Sequence, residues 1–200
     1  MDNYEVTKQS YESNSNIFIE QWKDTNESDN GKIETFIELL PQNARILDVG
    51  AGFGKDVTYL CDKGFDCIGI DFCDEFIRKS KELYSNVKIY KTNFLEIDFP
   101  ENAFDALWSR GALFHLSKVD FNAVISKLSM ILKTKGVFYI QLIEGIHDDL
   151  IDSIGNIEGA AHYSYYTVDE LKSIMSEYGF TYIKEYPFEG WINHYYRLNK

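Results

Sequence analysis

Long apolar runs are missing from this 200-residue chain. None approaches the roughly 18 consecutive apolar residues that a membrane-spanning helix needs. The start, MDNYEVTKQSYESNSN, lacks the basic-then-apolar order of a secretory signal. A soluble, cytoplasmic protein is therefore expected. Basic residues are scarce: 20 Lys and Arg face 32 Asp and Glu, for a net charge of −12, and no Lys/Arg cluster stands out. Nucleic-acid binders usually carry a basic face, so neither nucleic acid nor an anionic membrane is an expected partner. Cysteine is also rare. Cys61, Cys67 and Cys73 are odd in number and form no CxxC pair. They read as small buried hydrophobes rather than a redox or metal site. His147, Asp148 and Asp149 supply no coherent metal ligand set, and no metal is expected. Repeats and low-complexity tracts are absent.

What the chain does contain is core material. Hydrophobic residues make up 44% and aromatics 16%, enough for one globular domain spanning 1–200. The polar stretch 23–32, KDTNESDNGK, separates an arm (1–30) from a body (31–200). Tyr4, Tyr11, Ile17, Phe18, Ile19 and Trp22 give the arm an apolar helical face. In the body, apolar runs alternate with helical periodicity. Strands are expected at 45–49, 67–70, 87–90, 103–108 and 136–143, and a final pair at 180–186 and 191–198. Helical spacing follows Ile33, Phe36, Ile37 and Leu40 up to Pro41, and then Val57, Leu60 and Cys61, with Gly64 as the C-terminal stop. Phe76, Ile77 and Leu83 mark the next helix, and Phe121 through Leu132 the clearest one. Thr167 to Glu170 has the form of a capping box. The expected fold is α/β: a three-layer Rossmann-like sandwich around a seven-stranded, mostly parallel sheet that ends in an antiparallel hairpin.

The sharpest local signal is ILDVGAGFGKD, residues 46–56. An apolar strand ends in a glycine-rich turn and enters a helix, a geometry that lets backbone N–H groups approach a ligand. The spacing is informative. A dinucleotide fingerprint reads G-x-G-x-x-G. Here Gly50, Gly52 and Gly54 run G-x-G-x-G, and Lys55 stands where the third dinucleotide glycine belongs. Asp48 precedes the turn. About 20 residues past the first glycine, Asp71 ends the second strand, where an acid can hold both hydroxyls of a ribose. Asn93-Phe94 follows the third strand, and Ser109-Arg110 closes the fourth.

Together these segments, from about residue 32 onward, resemble class I S-adenosylmethionine-dependent methyltransferases, in their small-molecule branch. The resemblance implies a cofactor, S-adenosylmethionine, leaving as S-adenosylhomocysteine. It implies cofactor contacts from Asp48, Gly50, Ala51, Gly52 and Gly54, from Asp71 with Phe72 beside the adenine, from Asn93 and Phe94, and from Ser109 and Arg110. Asn93 departs from the family's commoner Asp. Thr134 and Lys135 replace the Pro and first Gly of the family's turn into the fifth strand. Trp22 and Tyr11 in the arm would close over the methionine part as a lid.

Methyl transfer at a sulfonium needs positioning above all, and a base only if the acceptor must lose a proton. His115 and Glu144 are the candidate bases, each also readable as a packing or loop residue. Arg110 suits either an acidic acceptor or the cofactor carboxylate, or simply a salt bridge. Tyr163-Ser164-Tyr165-Tyr166, with His162, reads as an acceptor pocket or as an aromatic cap on the sheet. The expected partner is a small-molecule acceptor, and the expected state a monomer or homodimer. The rivals are an aminopropyl transferase, disfavoured by Ser109-Arg110 where acids are needed, and a nicotinamide oxidoreductase, disfavoured by Lys55. A non-catalytic S-adenosylmethionine-binding protein is a third. A nucleic-acid methyltransferase is the fourth, disfavoured by charge and the missing N/D-P-P-Y/F motif.

Overall fold

The computed structural model describes residues 3–23, 30–154 and 157–200. Most of the expected linker 23–32 lies outside these residues, as do the side chains of Asp148 and Asp149. In chain order the elements are α1 (Asn3–Trp22), α2 (Asn30–Ile37), β1 (Arg45–Val49), α3 (Lys55–Asp62), β2 (Asp66–Asp71), α4 (Asp74–Leu83) and β3 (Ile89–Lys91). Then follow β4 (Phe104–Ser109), α5 (Lys118–Ile131), β5 (Leu132–Glu144), β6 (Asp148–Ile154), β7 (Ile157–Tyr166), α6 (Val168–Glu177), β8 (Phe180–Glu185) and β9 (Trp191–Leu198).

Five strands pair in parallel in the order β3-β2-β1-β4-β5. β9 then runs antiparallel to β5, and β8 antiparallel to β9. This is the expected seven-stranded sheet with its terminal hairpin. Strand alternation feeds two cores. Leu47, Leu107, Phe138 and Ile140 pack on one face with α5 and α6. Ile46, Ala106, Trp108 and Tyr139 pack on the other with α2 and α3. Side chains two apart share a face, and both faces are covered, so the central strands read as nearly unbroken apolar runs.

Boundaries shift: β3 starts at Ile89 rather than 87, β4 extends to Ser109, and β5 starts at Leu132, four residues earlier than expected and at the residue given to the preceding helix. α2 stops at Ile37, with Leu39 and Leu40 in a turn, because a residue before proline avoids helical backbone. The capping box is present in full. Thr167 Oγ1 accepts from Glu170 N at 3.1 Å, and Thr167 N donates to Glu170 Oε2 at 3.4 Å. Such caps contribute about 1 kcal/mol. All three cysteines are free, and two are buried. Among the described residues no helix is long and apolar enough to cross a membrane.

The hairpin β6–β7 is an addition to the expected seven strands. β9 pairs with β5 from Val137 to Ile143, and β4 pairs with the opposite edge as far as Ile140. β7 takes over that edge at Ile143 and Glu144. Helix α1 then lies along β7 and serves its backbone. Ser10 Oγ donates to Ala160 O at 2.6 Å, Asn14 Nδ2 to Glu158 O at 3.1 Å, and His162 N donates to Thr7 Oγ1 at 3.0 Å. Polar α1 side chains thus cover strand groups that would otherwise lack partners. The adjoining stripe of α1, with Tyr11, Phe18 and Ile19, packs against Phe53, Phe72 and Phe76.

Candidate functional site

In open α/β sheets, ligands bind past the carboxyl ends of the strands where the strand order reverses. That point here lies between β1 and β4, and a cavity of about 390 Å³ opens there. Its floor is the glycine turn. Gly50 N and Ala51 N donate to Ile70 O at 2.9 and 3.0 Å, which locks the turn onto β2. Gly50 has φ +86, and a Cβ on it would meet the Ala112 Cβ at 2.2 Å. Only glycine lets the 111–112 loop come this close. A Cβ on Gly52 would meet nothing within 4 Å, so the turn is open toward the cavity at that residue.

Asp71 stands beside it, 6% exposed. Gly52 N donates to its Oδ2 and Cys73 N to its Oδ1, each at 2.8 Å. Burial pushes its pKa up to about 6, against the downward pull of the Cys73, Gly52 and Phe72 amides. Asp48 is buried still more deeply. Desolvation, then the nearby Asp56 charge, holds its carboxyl well above the usual range, with Arg110 pulling the other way. Asp56 is the hub of this corner. It accepts from Trp108 Nε1 at 2.8 Å and from Arg110 Nε and a terminal Arg110 nitrogen at 2.8 and 3.1 Å. Lys55 Nζ donates to Trp22 O at 3.0 Å and so ties the end of α1 to the start of α3.

The far wall is aromatic. The 3-10 turn Leu113–His115 after β4 presents Phe114 and His115. The Nδ1 of His115 lies 2.9 Å from the carbonyl oxygen of His162, which can only accept, so Nδ1 carries the proton. Its Nε2 therefore accepts, at 2.8 Å from the hydroxyl of Tyr11, which donates to it. Burial depresses the His115 pKa to about 4 and raises that of Tyr11, so both are neutral near pH 7. Tyr163, its pKa raised by burial to about 12, and Trp191 complete this side.

The structure brings Tyr11, Trp22, Asp48, Gly50, Ala51, Gly52, Asp71, Phe72, Phe94, Arg110 and His115 to the cavity wall. Four expected residues are not on that wall. Gly54 caps α3 behind the turn, where a Cβ would meet Ile89 and Val87 at 2.8 Å each. Asn93 uses its carbonyl oxygen to accept from Leu95 N at 3.0 Å, capping the turn that carries Phe94. The Ser109 hydroxyl donates to Val49 O at 2.9 Å and knits β4 to β1. Glu144 is exposed at the end of β5. The Tyr163–Tyr166 segment divides between its two readings: Tyr163 lines the cavity, while Tyr166 is buried against Phe121.

Asp56, Gln141 and Trp191 also line the cavity, beyond the expected site residues. Asp56 lies within the glycine motif and was open to detection as an acid in the first turn of a helix. Gln141 was signalled by being the one polar residue in the apolar strand GVFYIQLI. Trp191 carries no local signal, since only pairing of β9 with β5 puts it at the cavity.

Comparison with known proteins agrees with this architecture. Among solved structures, a Burkholderia thailandensis 1,6-didemethyltoxoflavin-N1-methyltransferase, determined with bound 1,6-didemethyltoxoflavin and S-adenosylhomocysteine, superposes with a TM-score of 0.77. It is 19% identical and covers 100% of this chain and 92% of its own. A TehB-like S-adenosylmethionine-dependent methyltransferase from Corynebacterium glutamicum gives 0.73 at 17% identity, covering 94% and 99%. A phosphoethanolamine N-methyltransferase of Plasmodium falciparum is 32% identical over 154 residues, 74% of this chain and 58% of that protein. A sarcosine/dimethylglycine N-methyltransferase of Aphanothece halophytica is 22% identical over 177 residues, 81% of this chain and 61% of its own. The chain thus spans about three fifths of the length of these two curated relatives. A family model described as a methyltransferase domain matches residues 24–185, and the chain belongs to that family.

Proposed function

We propose that this chain is an S-adenosylmethionine-dependent methyltransferase acting on a small molecule, built as one domain with α1 as its lid. The observation that carries the reading is Asp71: a buried carboxylate, pinned by two amides, at the rim of an open glycine turn. Both of its oxygens are oriented, so the remaining lone pairs form a fixed pair of acceptors suited to the two hydroxyls of a ribose. The rest of the cavity fits the same group. Phe72 and Phe94, with ring centres 6.3 Å apart, offer apolar surface to an adenine. Asp48 matches an ammonium or sulfonium and Lys55 supplies positive charge for a carboxylate, while Asp56 and Arg110 neutralise each other.

When bound, the cofactor supplies an electrophilic methyl group on a cationic sulfur. The protein's part is to position and to manage a proton. With its Nδ1–H held by the His162 carbonyl, His115 keeps a lone pair on Nε2 for the Tyr11 proton. An acceptor O–H or N–H next to Tyr11 can pass its proton to the Tyr11 oxygen as the Tyr11 proton moves to His115 Nε2. The pair is the base in this scheme, and α1 helps to exclude water by bringing Tyr11 and Trp22 over the cavity. Glu144 has no part in it.

The test is calorimetric titration with S-adenosylmethionine, S-adenosylhomocysteine and NAD(H). Micromolar binding of the first two, weakened in Asp71→Ala, is expected. Binding of NAD(H) in preference to either would overturn the reading.

A further inference from the structure

The charges in the cavity are not spread evenly. Asp48, Lys55, Asp56, Asp71 and Arg110 all belong to α3 and the ends of β1, β2 and β4. The opposite wall carries rings. The Phe114 ring centre lies 4.4 Å from that of His115, 5.0 Å from Tyr163 and 5.8 Å from Trp191. The rings of Tyr163 and Trp191 are inclined 68° and 66° to Phe114, so faces and edges alternate around a concave surface. Edge-to-face contacts of this kind stabilise ring packing beyond simple burial.

One amide interrupts the rings. Gln141 is 8% exposed and lines the cavity from the middle of β5. Its Nε2 donates to Asn193 Oδ1 at 2.8 Å, and the same oxygen takes the Tyr139 hydroxyl at 2.9 Å. Asn193, on β9, is 1% exposed, and its Oδ1 takes both of these donors. Gln141 is therefore held with Oε1 toward Gly111, where even a Cβ would lie 3.6 Å from it. That oxygen is a fixed acceptor beside an aromatic, uncharged surface.

Resting on the methyltransferase reading, we infer that the methyl acceptor is a neutral, planar aromatic or heteroaromatic molecule, seated on Phe114, Tyr163 and Trp191, with a ring N–H or O–H donated to Gln141 Oε1. A phosphate or carboxylate on this wall would lose its water without gaining a cation, and an ammonium would gain no carboxylate. Either loss weakens binding. The small charged acceptors in the names of the curated relatives, phosphoethanolamine and sarcosine, are disfavoured for this chain on that ground.

The experiment titrates protein saturated with S-adenosylhomocysteine with lumazine and 4-hydroxyquinoline, both planar and bearing a ring N–H. Phosphoethanolamine and sarcosine form the opposing pair. Tryptophan fluorescence, with Trp191→Phe to assign the signal, and calorimetry are the readouts. Saturable binding of at least one aromatic, at least tenfold tighter than either charged compound, is expected. Gln141→Leu is expected to weaken it about tenfold while S-adenosylhomocysteine affinity stays unchanged. If that variant does not fold, Gln141→Asn, which withdraws the oxygen by one methylene, carries the same comparison. Preference for a charged compound, no saturable binding of either aromatic, or an unchanged affinity in the Gln141 variant each overturns the inference. Failure of S-adenosylhomocysteine to bind the unmodified protein is a different result and overturns the methyltransferase reading itself.

Discussion

The two walls of the cavity are built on different principles. The wall made by the β1 turn, α3 and the end of β2 is polar and charged, and it works through backbone amides: Gly52 N and Cys73 N orient Asp71. The wall made by the turn after β4, with β5, β7, β9 and α1, is apolar and neutral, and it works through side chains. On the first wall Asp71 lies only 19 residues from Gly52, although Arg110 reaches Asp56 across 54. On the second, Tyr11 meets His115 across 104 residues, and Gln141 meets Asn193 across 52. A seat for a fixed cofactor can be made from one βαβ unit. A seat for a variable acceptor is made from whatever later segments the fold gathers opposite it.

If the walls do separate work, variants should separate too. The largest effect is expected from His115→Ala, with Tyr11→Phe behind it. Either should lower kcat about a hundredfold or more, the usual contribution of proton transfer, with S-adenosylhomocysteine affinity unchanged. An equal loss of cofactor affinity would break the division. The converse is Asp71→Ala, which should weaken S-adenosylhomocysteine about a hundredfold by calorimetry, as the loss of charge-assisted hydrogen bonds implies.

The same carboxylate predicts a pH dependence. Its pKa without ligand is raised to about 6, and a ribose binds the ionised form. Affinity should therefore be full above pH 6 and fall by up to about tenfold per unit below it, and Asp71→Asn should flatten the profile. A wild-type profile that stays flat down to pH 5 would count against Asp71 as the ribose acceptor. The smallest effect is expected behind the first wall. Gly54→Ala forces a Cβ to within 2.8 Å of Ile89 and Val87 at φ +87. Thermal unfolding should show a Tm lower by roughly 5 °C, with the aromatic wall untouched.

How much of this was legible in the sequence follows the same division. Periodicity located β1 to its terminal residues and the closing hairpin nearly so, because strands covered on both faces announce themselves as apolar runs. The β6–β7 hairpin escaped because LIDSIGNIEGAAHYSYY mixes small, polar and aromatic residues. One of its edges is served by side chains of α1 rather than by another apolar layer. Asn93 and Ser109 stood at the right strand ends. Yet their side chains satisfy local backbone groups, Leu95 N and Val49 O, which position along the chain alone does not reveal.

The sequence by itself determined the family, the five parallel strands with their closing hairpin, and the glycine turn with Asp71, since these depend on short motifs and on the fixed periods of strand and helix. Only the tertiary structure decided the pairing of Tyr11 with His115, the locked amide of Gln141 and the placing of Trp191. Those depend on where distant segments come to rest, and a hydrogen bond or a ring contact has no signature along the chain until folding brings its two halves within a few ångströms.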